Sequence, residues 1–278
     1  MRIRLRFTKL GKIRFTSQRD VARMWERALR RAELPLAYTA GFSPRPQLSF
    51  GLALPTSCES LAEYLDVVLD GNRPETAGVE VPGLPARLTR LLPEGIAVEE
   101  AALVERRAVS LQQQVTSCSW TMRFGGVSRQ ELEEQVRSLL AAPAVPIVRE
   151  RKGREEHDDL RPSVLALAVA DDDQLSGSDR AGGGQGSVGV VAELATQPRG
   201  VRPIELVRGL IAVSGPSPEN QSVGVTTDGS RTAGTPVLDR ACRTQQWIER
   251  DGIREEPLQR RGDPTGVDRA THALERAS

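Results

Sequence analysis

The order of predicted secondary structure occurs twice along the chain, and this repeat restricts the possible folds more than any other feature. In the first half, Ile3, Leu5 and Phe7 alternate with arginines, a pattern typical of a half-buried strand. The motif Ser17-Gln18-Arg19-Asp20 has the form of a capping box and predicts a helix to about residue 33. Strands near 47–54 and 60–69, a helix near 84–92 and a strand near 96–104 are predicted to follow.

The second half has the same order. A strand is predicted over 115–124, and a second capping motif, Ser128-Arg129-Gln130-Glu131, begins a helix that ends before Pro143. Strands near 145–151, 162–170 and 188–195, a helix over 203–211 and a strand within 236–249 complete it. The repeat predicts an α+β fold of two tandem ferredoxin-like units (βαββαβ twice), each an antiparallel sheet with helices on one face.

Composition sets the expected domain boundaries. We expect a first, basic unit at 1–108 and a second unit at 109–250. Residues 171–187 and 214–235 are rich in Gly, Ser and polar residues, and 251–278 is strongly charged. Because these segments contain too little apolar surface to offset the entropy lost on ordering, we predict two disordered insertions and a disordered tail.

The net charge of +1 conceals a large asymmetry along the chain. Residues 1–50 contain twelve Lys or Arg against three acidic residues, which gives +9 there and leaves −8 for the remainder. Such a basic region is typical of proteins that meet RNA or an acidic protein surface. The alternative is an ordinary solvated charged face.

The segment Gly41-Phe42-Ser43-Pro44-Arg45-Pro46 predicts a stiff loop. Gly41 tolerates positive φ, and the two prolines fix φ and extend the residues that precede them. Such a loop would hold Phe42 and Arg45 outward at little entropic cost. We interpret it as a site that meets phosphate or a partner surface, with a simple connecting turn as the alternative.

Two further positions are candidates for binding. Arg161 lies in Asp159-Leu160-Arg161-Pro162, where the proline should hold it extended for a forked contact with carboxylate or phosphate; a local Asp159–Arg161 pair is the alternative. Glu63, followed by Tyr64, shares a strand face with apolar residues. A carboxylate there needs a partner, which we expect the Arg-rich helix to supply, and structural pairing is favoured over general acid chemistry.

Catalytic and cofactor motifs are not found in the sequence. The three cysteines, Cys58, Cys118 and Cys242, are too widely spaced to form an iron–sulfur cluster motif or a zinc motif. No nucleotide-binding glycine motif is present either. His157 lies among acidic residues on a predicted hairpin, where consecutive side chains point to opposite faces. We therefore expect no catalytic residue and no metal or cofactor bound by this chain. Without a signal-peptide pattern or a membrane-length apolar run, a cytoplasmic protein with no membrane partner is expected.

The chain resembles the radical-SAM-linked domains of unknown function. The resemblance lies in Phe15-Thr16-Ser17-Gln18-Arg19-Asp20, in residues 26–32 and 34–38, in the loop 41–46, in Glu63-Tyr64-Leu65-Asp66 and in the Asp159–Pro162 motif. Two positions depart from the family pattern. Gln18 stands where relatives commonly have His, and Ser57 where they usually have Gly before the Glu-Tyr strand.

The resemblance implies an accessory protein that works with a radical SAM enzyme, in some relatives a B12-binding one. Together with the basic region 1–50, it leads us to expect that the protein binds or positions an anionic substrate such as RNA. The iron–sulfur cluster and S-adenosylmethionine would then belong to the partner. The alternative is an independent RNA-binding or RNA-processing protein. The candidate substrate- or partner-binding residues are Ser17, Arg19, Asp20, Arg23, Arg27, Tyr38, Gly41, Phe42, Pro44, Arg45, Pro46, Glu63, Tyr64, Asp159 and Arg161.

Overall fold

The structure is a computed structural model that describes residues 1–105, 109–151, 153–171, 187–214 and 235–258. The protein is a mixed α+β molecule with mostly antiparallel sheet. Its described residues form two compact units. The first unit comprises Met1–Thr116 together with 243–258, and the second lies within Ser117–Cys242. The first unit is therefore discontinuous in sequence, a feature that the expected boundaries at residues 108 and 250 do not include.

The first unit is built on a central strand, β1, with antiparallel neighbours on both sides. β1 pairs with β3 and with β4, and the short β2 pairs with β3. In chain order the elements are β1 (Arg2–Lys9), α1 (Gln18–Arg31), β2 (Leu48–Phe50), β3 (Glu59–Val68), α2 (Leu84–Thr89), β4 (Ile96–Val104) and α3 (Leu111–Gln114). Short 3-10 turns occupy Gly11–Phe15, Pro74–Gly78 and Val81–Gly83.

The core of the first unit lies between the sheet and helices α1 and α2. Helix α1 begins after Ser17, whose hydroxyl accepts a hydrogen bond from the Asp20 backbone N–H at 3.2 Å. Trp25 is fully buried, and its ring meets Phe7 of β1 edge-on with the centroids 4.9 Å apart. The spacing of the apolar residues on α1 thus turns one stripe of the helix toward the sheet. The buried residues of this core include Ile3, Leu5, Phe7, Val21, Trp25, Ala28, Leu29, Leu65, Val67, Leu84, Leu88 and Ile96.

The second unit is built on β9 and contains a separate β6–β7 hairpin. β9 lies between β5 and β8 and is antiparallel to both, while β6 and β7 pair with each other. Helix α4 contacts β8 and α5, and α5 contacts β6. The elements are β5 (Ser117–Gly125), α4 (Arg129–Ala141), β6 (Pro146–Arg151), β7 (Arg154–Asp159), β8 (Val164–Ala170), β9 (Val188–Ala195), α5 (Pro203–Val213) and β10 (Val237–Arg250).

The second capping motif forms as predicted. The Ser128 hydroxyl accepts a hydrogen bond from the Glu131 backbone N–H at 3.3 Å, and the Glu131 carboxylate accepts one from the Ser128 backbone N–H at 2.8 Å. These two bonds satisfy backbone donors that the first turn of α4 would otherwise leave without partners.

Residues 243–258 belong to the first unit, and part of this segment corrects the prediction of a disordered tail. β10 contributes residues to both units, and β11 (Ile253–Glu255) pairs back onto it after a turn at Asp251 and Gly252. Residues 251–258 were expected to belong to a disordered tail, but they form this hairpin and make the contacts described below. The expected insertions 171–187 and 214–235 and the rest of the tail lie outside the described residues, except at Asp171, Ser187, Ser214 and Thr235. Among the described helices, none has the length and apolar character needed to cross a bilayer.

The turn before β3 holds a serine in a backbone conformation that favours glycine. Ser57 has φ of 75°, and its backbone N–H donates to the Arg14 carbonyl at 2.9 Å. Left-handed backbone costs a residue with a Cβ about 1–2 kcal/mol. This explains physically why a glycine would be favoured at this position.

We expect Ser57→Gly to raise the free energy of unfolding by about 0.5–1 kcal/mol, because the strain removed exceeds the roughly 0.5–1 kcal/mol of added chain entropy in the unfolded state. Urea denaturation measures the change. Ser57→Ala is the control, since it keeps the Cβ and the strain, and its stability should match that of the parent. Equal stability of the glycine and alanine variants would contradict the explanation.

Candidate binding surface

The loop predicted at residues 41–46 is closed at its base by backbone pairing. Tyr38 and Pro46 form an antiparallel bridge, and the Thr39 backbone N–H donates to the Arg45 carbonyl at 2.9 Å. In return, the Arg45 backbone N–H donates to the Thr39 hydroxyl at 3.1 Å. Gln47 adds a side-chain bond to the Tyr38 carbonyl at 2.9 Å. The base of the loop is therefore tied by several bonds.

The tip of this loop presents an aromatic side chain to solvent. Gly41 has φ of 120°, as a stiff turn at this position requires, and Phe42 is fully exposed. Pro44 and Arg45 are also exposed, Tyr38 is 42 % exposed, and Pro46 is buried. Aromatic residues are enriched among the residues that contribute most to protein interfaces, so the exposed Phe42 is a candidate for contact with a partner.

The outer face of α1 is basic, as the sequence predicts. Arg19, Arg23 and Arg27 are all exposed. Arg23 pairs with Asp20 at 3.2 Å, whereas Arg19 and Arg27 make no ion pair with any part of the chain that the structure describes. A hydrogen bond from the Ser17 hydroxyl is the main reason that the pKa of Asp20 lies below its usual value. Ser17 and Asp20 thus cap the helix, and the arginines form its accessible face.

The turn that precedes α1 is held in place by buried charged groups. Lys9 Nζ donates to the Thr16 carbonyl at 2.9 Å, and Glu59 accepts a bond from the Gly11 backbone N–H at 2.6 Å. Arg14 lies 3.5 Å from the same Glu59 carboxylate. Burial lowers the pKa of Lys9, and the negative charge of Glu63 opposes that shift. These groups support the start of the helix.

Cys58 lies close enough to this charged cluster for its pKa to be affected. Burial raises the pKa of its thiol to about 11, while the positive charges of Arg243 and Lys9 act in the opposite direction. The thiol is therefore protonated at neutral pH. A nucleophilic cysteine needs a thiolate, so Cys58 behaves as a small buried apolar residue.

Glu63 has a buried partner that differs from the predicted one. Its Oε1 accepts bonds from Nη2 and Nε of Arg243 at 2.6 and 3.1 Å. Arg243 also donates to the Leu52 carbonyl at 2.9 Å. The partner therefore comes from β10 and not from the Arg-rich helix. Paired in this way, Glu63 has a structural role in the first unit, and neighbouring Tyr64 is buried as well.

Arg161 makes local contacts in the second unit. Asp159 Oδ1 accepts bonds from the backbone N–H groups of Arg161 and Val145 at 3.0 and 2.7 Å. The Arg161 guanidinium donates to the carbonyls of Leu140 and Val164 at 3.2 and 3.0 Å. The residue begins a 3-10 turn, Arg161–Ser163, and is not held extended. The geometry therefore fits the alternative of a local Asp159–Arg161 contact better than a binding role. The guanidinium stabilises the end of α4.

The arginines of β1 are not on a solvent face. Arg4 and Arg6 are 4 % and 1 % exposed, which corrects the prediction of a half-buried strand. Asp66 accepts bonds from Arg4 at 2.8 and 3.1 Å and from Arg2 at 2.5 Å, and Glu256 accepts a bond from Arg6. Burial of these cations is possible because each meets a carboxylate. Part of the basic charge of residues 1–50 is therefore neutralised internally.

The acidic hairpin around His157 also forms ion pairs. Asp158 accepts a hydrogen bond from Arg199, which is the main cause of the lowered pKa of that carboxyl, and it lies 3.6 Å from Arg149. No group of three or more potential metal ligands occurs among the residues that the structure describes.

Within the first unit, the structure does not bring all the predicted residues to one surface. Phe42, Arg45, Arg19 and Arg27 are exposed on the first unit, Glu63 and Tyr64 are buried in it, and Asp159 and Arg161 belong to the second unit. Sequence reasoning missed Arg243, Gln245 and Glu256, which complete the charged interior of the first unit. No motif marks them, because their importance arises only when β10 and β11 return to the first unit.

Two comparisons with known proteins bear on identity. No curated protein matches the chain. A family model matches residues 2–196, which is more than half of the chain and includes the turn before α1, the loop 41–46 and the Glu63 strand. The chain belongs to the bacterial family described as "Uncharacterized protein conserved in bacteria (DUF2344)".

Proposed function

We propose that this protein is a non-catalytic accessory protein that docks on a radical SAM enzyme and binds or positions an anionic substrate, with RNA as the substrate class. The observation that carries the proposal is the fully exposed Phe42 on a loop whose base is closed by the Thr39–Arg45 pair. A rigid aromatic anchor beside an arginine is the composition of a protein-binding hot spot. The radical SAM partner comes from the sequence resemblance.

The side chains of this protein indicate which parts of the activity we assign to it and which to the partner enzyme. The three cysteines are widely spaced in sequence, and the Cys58 thiol is protonated at neutral pH. We therefore assign the iron–sulfur cluster and S-adenosylmethionine to the partner, and propose that both proteins work in the cytoplasm. The exposed Arg19 and Arg27 would attract the anionic substrate.

The fold proposal is two tandem ferredoxin-like units. In the first unit, the element order β1-α1-β2-β3-α2-β4 supports it, as does the position of β1 between β3 and β4. In the second unit, the β6–β7 hairpin is an addition to the expected pattern. Without it, the element order β5-α4-β8-β9-α5-β10 supports the proposal, as does the position of β9 between β5 and β8. Such units offer loops and helix faces for binding, although fold alone does not assign function.

The docking proposal is tested by the affinity of the purified protein for its cognate radical SAM protein. We expect Phe42→Ala to weaken the complex about thirtyfold, which corresponds to loss of about 2 kcal/mol at a hot spot. Leu103→Ala is the matched control, because Leu103 is 60 % exposed on β4 but lies outside the loop. It should change the affinity less than about twofold. Failure of the parent protein to form a complex at low and moderate salt would overturn the proposal.

An independent RNA-binding protein remains the second candidate, favoured by the exposed Arg19 and Arg27 on α1. In that case the protein alone would bind RNA with strong salt dependence, and changing Arg19, Arg23 and Arg27 to Glu would weaken binding. If Phe42→Ala weakens binding to the radical SAM protein and leaves the affinity for RNA unchanged, the accessory role is favoured. The reverse result would favour the independent one.

A further inference from the structure

The C-terminal end of the described chain covers an arginine-containing face of the first unit. We name residues 253–258 the C-terminal strap; it consists of β11 followed by Glu256, Pro257 and Leu258. β11 makes three residue pairs with β10, and all three of its residues are exposed. The residues after β11 are half-buried. The strap is therefore attached mainly through side-chain and carbonyl contacts.

Those contacts bind the strap to polar groups of the sheet. The Glu256 carboxylate accepts bonds from Arg6 Nη1 through one oxygen and from Gln245 Nε2 through the other. The Pro257 carbonyl accepts a bond from Arg4 Nη1 at 3.2 Å. Asp66 already engages Nε and Nη2 of Arg4, so the strap takes up the remaining Nη1. Glu256 thus occupies a socket for an oxyanion.

An aromatic ring lies beside this socket. Arg6 is directly opposite Tyr64 in the β1–β3 pairing, and its guanidinium carbon lies 5.9 Å from the centre of the ring. Leu258 of the strap packs against the cluster that contains Tyr64 and Leu111. Arg6 is 1 % exposed, and its Nη2 donates to Gln245 Oε1 at 3.2 Å. Its Nε has no hydrogen-bond partner among the described residues, and Glu99 is 3.9 Å from that atom. The socket therefore retains a buried donor that Glu256 does not satisfy.

We propose that this face binds a phosphate group of single-stranded RNA, and that Glu256 occupies the site until the strap is displaced. Carboxylate and phosphate accept hydrogen bonds from a guanidinium in the same forked geometry, so one can replace the other. A phosphodiester of RNA has two non-bridging oxygens and one negative charge, as a carboxylate does, so it can accept hydrogen bonds from Arg6 Nη1 and Gln245 Nε2 in place of Glu256. Leu258 packs against the cluster that contains the buried Tyr64, so displacing the strap would uncover part of that ring, and an unpaired base stacks on aromatic rings of this kind. The inference rests on the proposed anionic substrate and assigns its binding site.

The test measures RNA binding by the full chain without any partner enzyme, so its outcome is independent of docking. The probes are a single-stranded RNA of about ten nucleotides and inorganic phosphate. We expect Glu256→Gln to bind the RNA about tenfold more tightly than the parent, because the competing charge is removed. Phosphate alone should raise the thermal unfolding midpoint of this variant and leave that of the parent unchanged, because only the variant lacks the negative charge that competes with phosphate for Arg6.

The matched control is Glu255→Gln, which removes the same charge from a neighbouring, exposed residue. Its RNA affinity should stay within about twofold of the parent. Equal tightening by both variants would show only a general charge effect and would overturn the proposal. If phosphate stabilises Glu256→Gln but this variant does not bind RNA more tightly, the site binds an oxyanion and the proposal that RNA is its ligand is wrong.

A measurement on the unmodified protein covers the case in which Glu256→Gln does not fold. When RNA is added at saturation, hydrogen exchange at the backbone amides of Ile253–Glu255 should accelerate, because the ligand displaces the strap. The amides of β1 should keep their protection. Unchanged exchange in the strap under saturating RNA would overturn the proposal.

Discussion

Replacing Arg243 by Met is expected to lower the free energy of unfolding by about 3–5 kcal/mol. The Arg243 and Glu63 side chains are 3 % and 9 % exposed, and two hydrogen bonds join them. The substitution leaves the Glu63 carboxylate buried near a thiol and the Leu52 carbonyl without its donor. An uncompensated buried charge is among the largest penalties that a single substitution produces. Urea denaturation followed by circular dichroism measures the loss.

Two controls separate this effect from a general loss of charge. The double variant Glu63→Gln with Arg243→Met should recover about 1–3 kcal/mol, because the buried side chain that has lost its arginine then carries no charge. Arg30→Met, which breaks the exposed Arg30–Glu26 pair of α1, should cost less than about 1 kcal/mol. If the double variant is as unstable as Arg243→Met alone, the penalty arises from lost packing and not from charge.

The second large effect is expected at Trp25. Trp25→Ala should lower the free energy of unfolding by about 3–5 kcal/mol, since it removes the largest fully buried side chain of the first unit and its edge-on contact with Phe7. The helix would lose its main apolar anchor on the sheet. Thermal and urea unfolding of the variant measure the change.

Trp25→Phe provides the informative comparison. The indole N–H of Trp25 is buried and has no hydrogen-bond partner among the described residues. An unsatisfied buried donor costs about 1–3 kcal/mol, which offsets most of the packing lost when the ring becomes smaller. We therefore expect Trp25→Phe to change stability by less than about 1 kcal/mol. A loss as large as that of the alanine variant would mean that the indole N–H has a stabilising contact.

Most secondary-structure elements were predictable from local patterns. Alternating apolar residues in β1 and the capping motifs at Ser17 and Ser128 depend only on neighbours in sequence, so the predicted strands and helices agree with the structure to within a few residues. β11 was missed because it has three residues, all exposed, and its hairpin lies within a charged segment. Tandem ferredoxin-like units stay a prediction.

The environment of individual charges was less predictable. The alternation in β1 indicated a solvent face, but the acceptors of Arg4 and Arg6 lie 62 and 250 residues away along the chain. Glu63 was correctly expected to need a partner, yet its arginine is 180 residues distant. Such pairs carry no local periodicity. The loop at 41–46 was accessible to sequence reasoning because glycine and proline determine its conformation locally.

The return of residues 243–258 to the first unit has a consequence for biosynthesis. On the ribosome, β1, α1, β3 and β4 emerge long before the strands that neutralise Arg6 and Glu63. During translation the first unit must therefore remain incomplete until residues 243–258 have been synthesised. A message truncated before codon 243 would thus yield a product whose N-terminal portion is already compromised.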